Sequence, residues 1–280
     1  MNKLRKYIEN ELMPTKPQID FCNGKIRTFQ NLFANGTSLR FKQCRPSGSF
    51  KKGTMLRNRF ELDIVMVLER QGFNFNEVKA EVQRLVKDNM PNMRIKQIGN
   101  VSIQLLSSFQ NKLFSMDVVP TFLVNSPLQA SEVKDAAAYQ GATSIWHMKY
   151  IREQKKFPGY VELVLLIKDW VQKNKVPLKS FFVELIVASA IEYRDISINK
   201  SLQHNLRECM KEIMAMTDGS PIYPVNWKYF DETHYDIQSS KAKAVIIDPA
   251  NPRDNLGKKL SLEDLKQIRS LASKKIHSLC

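Results

Sequence analysis

Hydrophobic and polar positions follow different periods along the chain. In the first half, apolar residues at helical spacing predict helices in residues 4–12, 21–33 and 76–87. Runs rich in branched residues predict strands in residues 59–68, 101–106 and 113–119, and a polar stretch between the last two predicts a hairpin. After about residue 140 strand signals are sparse, and the pattern predicts helices in residues 144–156, 160–173, 178–191, 202–216 and 262–275.

This order of elements predicts an α+β fold with two lobes. We expect a mixed sheet-and-helix lobe in residues 1–140, which includes the N-terminal helix, and a helical lobe in residues 141–280. A cleft between the two lobes is the expected place for an active site.

The composition is that of a globular protein, but the charge is unusual. Of the 280 residues, 43% are hydrophobic and 25% charged, and the formal net charge of +15 predicts a polyanionic partner or substrate. No apolar run approaches the roughly 18 residues of a membrane-spanning helix, and the charged start of the chain argues against a secretory signal. The four cysteines make no ligand-spaced group with the four histidines, so we expect a reduced, cytoplasmic protein without membrane contact or structural zinc.

Two short glycine motifs precede the first predicted strand. Gly48 is followed by Ser49, and Gly53 by Thr54. Glycine lets backbone N–H groups approach a phosphate, and the two hydroxyl groups add hydrogen-bond donors. Gly and Ser are also the common residues of ordinary loops, so these motifs alone do not distinguish a phosphate site from a turn.

Carboxylates interrupt two of the predicted strands. Glu61 and Asp63 lie two positions apart and therefore point to the same face of their strand, while Asp117 lies in the strand of residues 113–119. Adjacent carboxylates repel each other unless a cation lies between them, and hard oxygen ligands suit Mg²⁺ or Mn²⁺. If the two strands are neighbours, the three carboxylates converge as in a two-metal phosphoryl-transfer site. Alternatively, Glu61 and Asp63 simply face solvent, as half of a strand's residues do.

These residues together carry a resemblance to a known family. The combination of Gly48-Ser49, Gly53-Thr54, Glu61-Leu62-Asp63 and Met116-Asp117 resembles the signature of the polymerase-β-type nucleotidyltransferases. Within them it is most similar to the 2′-5′-oligoadenylate synthetases and to cyclic GMP–AMP synthase-like enzymes, including the zinc-free animal receptors. Further similarity to the oligoadenylate synthetases runs through residues 4–14, 166–170, 183–186, 225–231 and 247–257.

The resemblance implies a template-independent enzyme that joins nucleoside triphosphates and releases pyrophosphate. Glu61, Asp63 and Asp117 would hold two Mg²⁺ ions, with Asp117 nearest the attacking ribose hydroxyl, and Gly48 and Ser49 would bind the β- and γ-phosphates of the donor. The product would be a second messenger of innate immunity, either a 2′-5′-oligoadenylate or a cyclic dinucleotide, made from ATP or GTP. Oligoadenylate synthetases carry aspartate at the position of Glu61, whereas the cyclic GMP–AMP synthase-like enzymes often carry glutamate, so both products stay open.

Three residues of the second lobe are further candidates for nucleotide binding. Lys168 lies on a helix that is apolar nearly all round. A buried lysine needs an anionic partner, and the family's equivalent lysine contacts the triphosphate; alternatively, the side chain reaches solvent at the rim. Ser180 and Phe181 occupy the positions where the family places a polar residue and a tyrosine that stacks on a base, although Phe181 could equally belong to the core.

Basic residues near the end of the predicted helix 144–156 are candidates for binding the polyanionic partner that the net charge predicts. A basic helix face is commonly just solvated, but in the family the equivalent region helps to bind double-stranded RNA, which activates the enzyme. Recognition of that kind depends on shape and phosphates, so it is independent of sequence and weakened by salt. The candidates, which include two lysines of the first helix, are Lys3, Lys6, Lys149, Arg152, Lys155 and Lys156.

Three hypotheses about function remain at this point. The chain is a synthase activated by double-stranded RNA, a constitutively active cyclic-oligonucleotide synthase of the bacterial kind, or an RNA-binding scaffold without activity. The presence of all three carboxylates together with Gly48, Ser49 and Lys168 favours an enzyme. Linkage, base preference, the activator and the oligomeric state are not predicted by the sequence.

Overall fold

The computed structural model describes residues 3–69, 73–230 and 243–279, with the backbone alone at Ile98. The chain divides into two compact units. The first comprises Pro14–Lys149, and the second comprises Met1–Met13 together with Tyr150–Cys280. The boundary that we predict between residues 140 and 141 and the boundary between the units both fall within one helix, Ala136–Gln154. Each unit is described by itself below.

The chain begins with helix α1 (Lys3–Tyr7), which continues into a π-helical turn (Ile8–Leu12). The elements of the first unit then follow in the order α2 (Lys16–Gly36), β1 (Phe41–Ser47), α3 (Gly48–Lys52), β2 (Glu61–Leu68), α4 (Phe75–Asn89), β3 (Arg94–Ile98), β4 (Ile103–Phe109), β5 (Lys112–Phe122), α5 (Pro127–Ser131) and α6 (Ala136–Gln154). The remaining elements are α7 (Tyr160–Lys173), α8 (Ser180–Tyr193), α9 (Leu202–Thr217), β6 (Ile247–Asp248), β7 (Asn251–Asn255), a 3-10 turn (Leu256–Lys259) and α10 (Leu262–Ser278). The predicted α+β class is confirmed.

The first unit is built on a five-stranded mixed sheet in the order β1-β2-β5-β4-β3. The central strands β2 and β5 run parallel, and the other neighbouring pairs run antiparallel. The predicted hairpin between β4 and β5 is confirmed: Gln110 and Asn111 form its turn with φ values of +49° and +61°. Positive φ at both positions matches the right-handed twist of the flanking strands.

One face of this sheet forms the hydrophobic core of the unit. Alternate residues of the strands, such as Leu62, Ile64, Leu105 and Met116, are buried against apolar side chains of α2 and α4. Burying these side chains removes their apolar surface from water and stabilises the sheet. The opposite face carries the other half of the strand residues, and the predicted catalytic carboxylates lie on it.

Several elements differ from the prediction for identifiable reasons. Helix α2 begins at Lys16, ahead of the predicted start, because Thr15 and Gln18 form a capping box and Pro17 is accepted in the first turn. Strand β1 was not predicted, since Lys42, Arg45 and Pro46 interrupt its apolar pattern. The sequence does not predict the short strands β6 and β7 either. Strand β6 has only two residues, and β7 contains no branched or aromatic residue.

The second unit is mainly helical, as predicted after residue 140. Helix α8 contacts α7 and α9, and α9 also contacts α10. The N-terminal segment belongs to this unit, where the Tyr7 hydroxyl donates a hydrogen bond of 2.8 Å to Asp169 on α7. Asp231, part of a segment that resembles the family, lies outside the described residues. In the part of the chain that the structure describes, no helix is both long and apolar enough to cross a membrane.

Candidate active site

The Gly48-Ser49 motif lies directly against the predicted carboxylates. Strand β1 ends at Ser47, which pairs with Asp63 of β2, and Gly48 then opens the short helix α3. Gly48 has φ +57°, and a Cβ atom at this position would lie 1.6 Å from the Asp63 carboxylate oxygen. Two independent constraints therefore require glycine here, namely the left-handed backbone conformation and the close approach of Asp63.

Two of the three predicted carboxylates meet across the central strands. Asp63 of β2 is the register partner of Asp117 of β5, and Glu61 pairs with Ser115 two positions away. Because paired residues of neighbouring strands point to the same face, all three carboxylates lie on the face opposite the core. The sequence-based condition that the two strands are neighbours is met.

The electrostatics of this pair are those of crowded, partly buried acids. Burial, together with the neighbouring charges of Asp117 and Glu61, raises the pKa of Asp63 to about 6, although Lys52 and Arg59 oppose the shift. Burial and Glu61 also raise the pKa of Asp117, while a hydrogen bond from the Gln104 side chain and the charge of Lys96 lower it. A cation placed between Asp63 and Asp117 would favour the ionised form of both carboxylates and so oppose the effect of burial on their pKa values.

Glu61 is held apart from this pair by a salt bridge. Its carboxylate lies 3.3 Å from Arg59 Nε, and about half of its side chain is exposed. Accordingly, no three His, Cys, Asp or Glu side chains within residues 3–69, 73–230 and 243–279 are gathered as a ready-made metal site. The oxygen donors nevertheless fit Mg²⁺ or Mn²⁺, because Asp63 and Asp117 are in register and the Glu61–Arg59 contact is exposed and easily broken.

Lys168 does have an anionic partner, but it is one that the sequence analysis did not find. Lys168 Nζ on α7 lies 2.7 Å from Glu184 Oε1 on α8, and the two side chains are only 5% and 1% exposed. The alternative of a lysine that reaches solvent at the rim of the helix does not describe this side chain. Its predicted contact with a triphosphate stays a prediction.

The two predicted base-binding residues begin the next helix. Ser180 is the first residue of α8, and Phe181 follows it; both are half-buried. Lys179 precedes the helix, and no side chain caps the N-terminus of α8 through a hydrogen bond. Contact of Ser180 and Phe181 with a nucleotide also stays a prediction.

The basic candidates for RNA binding are mostly exposed, but their predicted arrangement on one helix is wrong in part. Helix α6 ends at Gln154, so Lys155 and Lys156 lie in the turn that follows. Pro158 disfavours a helical conformation of the residue before it, which is consistent with this end of the helix. Arg152 and Lys156 both contact Glu153. Lys149 Nζ lies 3.5 Å from the centre of the Trp146 ring and is half-buried. Lys3 and Lys6 are exposed on α1.

Gln104 and Lys96 interact with Asp117, and the sequence analysis did not single them out. Gln104 lies opposite Asp117 on β4, and Lys96 belongs to β3, at the edge of the sheet. Their proximity to Asp117 depends on strand order and register, neither of which a single sequence specifies. A polar residue between the apolar Ile103 and Leu105 was the one visible signal, and it is the ordinary pattern of a half-exposed strand.

Comparison with known proteins agrees with this geometry. No protein-family model matches the chain. The CBASS oligonucleotide cyclase CdnC of Escherichia coli is 22% identical over 97% of this chain and 88% of its own length. Human 2′-5′-oligoadenylate synthase 2 is 23% identical over 91% of this chain and 42% of its own length. A structure of Escherichia coli CdnC in complex with HORMA-deltaN superposes with a TM-score of 0.76 at 18% identity, covering 99% of this chain and 89% of that one.

The chain is similar in sequence and in fold to polymerase-β-type nucleotidyltransferases. The similarity to these two relatives covers 97% and 91% of the chain and is therefore not confined to one of its two units. The resemblance found in the sequence and the prediction of an enzyme are thereby confirmed. For this nucleotidyltransferase, the roles of individual residues remain predictions that the geometry makes specific.

Proposed function

We propose that the nucleotidyltransferase joins nucleoside triphosphates, ATP or GTP, into a nucleotide second messenger. The observation that carries this proposal is the register of Asp63 with Asp117, directly beside Gly48 and Ser49. Two relatives support the product class, because one is named an oligonucleotide cyclase and the other a 2′-5′-oligoadenylate synthase. A related CdnC structure was determined with ATP.

The proposed step is an in-line displacement at the α-phosphorus of the donor. A ribose hydroxyl of the acceptor forms the new O–P bond, the bond from the α-phosphorus to the pyrophosphate oxygen breaks, and the hydroxyl proton passes to the Asp117 carboxylate. Gly48 and Ser49 bind the β- and γ-phosphates, where the N–H groups of a glycine turn can approach closely. In the second unit, we propose that Lys168 contacts a triphosphate and that Ser180 and Phe181 contact a base, as the resemblance implies.

Glu61, Asp63 and Asp117 would hold two divalent ions, Mg²⁺ or alternatively Mn²⁺. Bound there, the ions would neutralise charge on the triphosphate and on the attacking oxygen. To take part, the Glu61 carboxylate must leave Arg59, and this exchange costs little because the ion pair is exposed.

We further propose that double-stranded RNA activates the enzyme. Support comes from the net charge of +15 and from the exposed side chains of Arg152, Lys155 and Lys156. The second candidate function is a constitutively active cyclic-oligonucleotide synthase, which is favoured by the similarity to a bacterial oligonucleotide cyclase over nearly the whole chain. A cytoplasmic location is a further part of the proposal and rests on sequence alone.

One experiment separates these functions. The protein is incubated with labelled ATP and GTP, separately and together, with Mg²⁺ and with or without long double-stranded RNA, and products are resolved by chromatography and linkage-specific nucleases. A ladder that resists 3′-5′-specific nucleases indicates an oligoadenylate synthetase, and a single phosphatase-resistant species indicates a cyclase. Full activity without RNA supports the constitutive enzyme and contradicts activation.

Asp63→Asn is the matched control for chemistry. We expect it to nearly abolish product formation while leaving RNA binding intact, because charge neutralisation and positioning supply most of the catalysis of phosphoryl transfer. If neither wild type nor variant makes product, the result supports a scaffold, and if both are equally active, Asp63 has no part in the reaction.

A further inference from the structure

The polar residues around Asp117 form a row that crosses the sheet. Ser47 pairs with Asp63, Asp63 with Asp117, Asp117 with Gln104, and Gln104 with Gln97. Paired residues on neighbouring strands share a face, so this row runs from the Gly48 loop across β2 and β5 onto β4 and β3. The part beyond Asp117 has no role in the function proposed above.

Gln104 is placed to hold the Asp117 carboxylate. It is half-buried between Ile103 and Leu105, which are both fully buried on the core face and fix the orientation of the strand. Its side chain donates the hydrogen bond that lowers the pKa of Asp117. A neutral amide can therefore orient this carboxylate without competing for the proton that the carboxylate must accept.

Lys96 lies at an irregularity in the edge strand, next to Gln97, which pairs with Gln104. The register of β3 with β4 shifts between Ile95 and Gln97, so Lys96 is the extra residue of a bulge. Bulges redirect side chains and recur beside active sites. Lys96 is exposed, and its ammonium group is close enough for its charge to lower the pKa of Asp117.

We propose that β4 and β3 form the acceptor side of the active site, where Gln104 orients Asp117 toward the acceptor hydroxyl and Lys96 binds the acceptor's phosphate. The inference rests on the proposed nucleotidyl transfer and deepens it. The donor phosphates are assigned to Gly48 and Ser49 at the other end of the row, so the second nucleotide approaches Asp117 from the side of Gln104. Gln104 is a positioning residue, since it acts through Asp117 and not on the reacting atoms.

The role of Gln104 is tested with Gln104→Met, which keeps the length of the side chain and removes the hydrogen bond. We expect kcat to fall at least about tenfold, because proton transfer to a positioned base contributes factors of this order or more, with the KM of the donor unchanged. Gln267→Leu, an exposed glutamine on α10, is the control. An unchanged kcat, or a loss that appears only in the KM of the donor, would overturn the assignment.

The role of Lys96 is tested with α-labelled ATP as donor and with AMP or adenosine as acceptor. For Lys96→Ala we expect the KM of AMP to rise about tenfold, the effect of losing one charge-assisted hydrogen bond to phosphate. The KM of adenosine and the KM of the donor should not change. Lys112→Ala, at the turn of the neighbouring hairpin and equally exposed, should match wild type.

The two levels of the proposal fail in different ways. If wild type makes no product from any nucleotide, the proposed function is wrong. If wild type is active but Lys96→Ala raises the KM of the donor, or affects AMP and adenosine equally, the acceptor assignment is wrong and the function stands.

Discussion

Gly48 is the residue that allows the Gly48-Ser49 loop and the Asp63 carboxylate to lie side by side. Its positive φ turns the chain out of β1, and its missing side chain lets the Asp63 carboxylate lie against the backbone of the loop. A phosphate held by this loop would thus lie beside Asp63, one of the proposed metal ligands.

Gly48→Ala is accordingly expected to reduce product formation by about 100-fold, since a displacement of about 1 Å at a catalytic group has effects of this size. The added Cβ must push Asp63 aside, and the backbone becomes strained. Gly24→Ala is the control, because nothing lies within 4 Å of a Cβ at Gly24. Turnover and thermal unfolding of both variants check the expectation, and a fully active Gly48→Ala enzyme contradicts it.

Asp63 makes the stability of the metal-free protein depend on pH. Its pKa rises from 3.8 to about 6 on folding, so between these values the folded state binds more protons than the unfolded state. The free energy of unfolding must therefore fall as pH rises from about 4 to about 6. Above about pH 6 the Asp63 carboxylate is ionised in both states, and the folded state bears the full free-energy cost of burying that charge.

We expect Asp63→Asn to be more stable than wild type by about 1 to 3 kcal/mol at pH 7 in EDTA, with the difference shrinking toward pH 4. Urea unfolding at several pH values measures it. Mg²⁺ should raise the stability of wild type and not of the variant. Asp264→Asn should behave oppositely and lose stability above pH 4, because hydrogen bonds from Ser261 lower the pKa of Asp264. Equal stability of Asp63→Asn and wild type at pH 7 contradicts the account.

At the scale of elements, helices α7 and α8 are joined by an ion pair inside their interface. Lys168 and Glu184 are both almost fully buried, and the Tyr160 hydroxyl donates to the Glu184 carbonyl 3.0 Å away. A buried pair tolerates loss of both charges far better than loss of one. Any shift of α7 along α8 that separated Lys168 from Glu184 would leave two buried charges unpaired, so the pair favours the observed register of the two helices.

Lys168→Met is expected to destabilise the protein by about 3 to 5 kcal/mol, and the double variant with Glu184→Leu should recover most of this loss. Lys173→Met removes a pair in which the lysine is 60% exposed and Asp169 is 11% exposed, and it should cost less than Lys168→Met because one partner stays in water. Chemical unfolding of wild type and these three variants tests the expectation. If the folded double variant binds ATP more weakly than wild type, Lys168 also serves the triphosphate; a Lys168→Met protein as stable as wild type contradicts the buried pair.

The elements also show what the sequence could predict. Helices α7, α9 and α10 follow from periodicity within each segment, and the predicted bounds of α7 agree with the structure. The Gly48 motif and the carboxylates follow from local spacing. The partner of Lys168, the contact of Gln104 with Asp117 and the bulge at Lys96 depend on which strands and helices become neighbours, and that information is not local.

At the scale of the whole molecule, the net charge of +15 predicts how activation should respond to salt. If double-stranded RNA binds through phosphate contacts, stimulation should decline steeply as salt rises, because binding releases counterions from the RNA and this release becomes less favourable at higher salt concentration. Basal activity without RNA should change much less. Activity assays from about 50 to 200 mM salt distinguish the two responses.

Arg152→Glu combined with Lys156→Glu should weaken RNA stimulation and flatten its salt dependence while keeping basal activity. Lys266→Glu with Lys274→Glu makes the same change of charge at exposed positions of α10 and serves as the control. If both double variants lose stimulation equally, binding follows total charge alone. If the first keeps full stimulation, Arg152 and Lys156 are not part of the RNA surface.

The parallel pairing of β2 with β5 has a consequence for the nascent chain. Asp63 and Asp117 are far apart in sequence, and the whole of α4, β3 and β4 must be made before β5 can be inserted beside β2. Until β5 is inserted, the Gly48 loop lies beside Glu61 and Asp63 of β2, and Asp117 of β5 is missing from the site. A chain truncated before β5 lacks Asp117, and we therefore expect it to be inactive in the proposed nucleotidyl transfer.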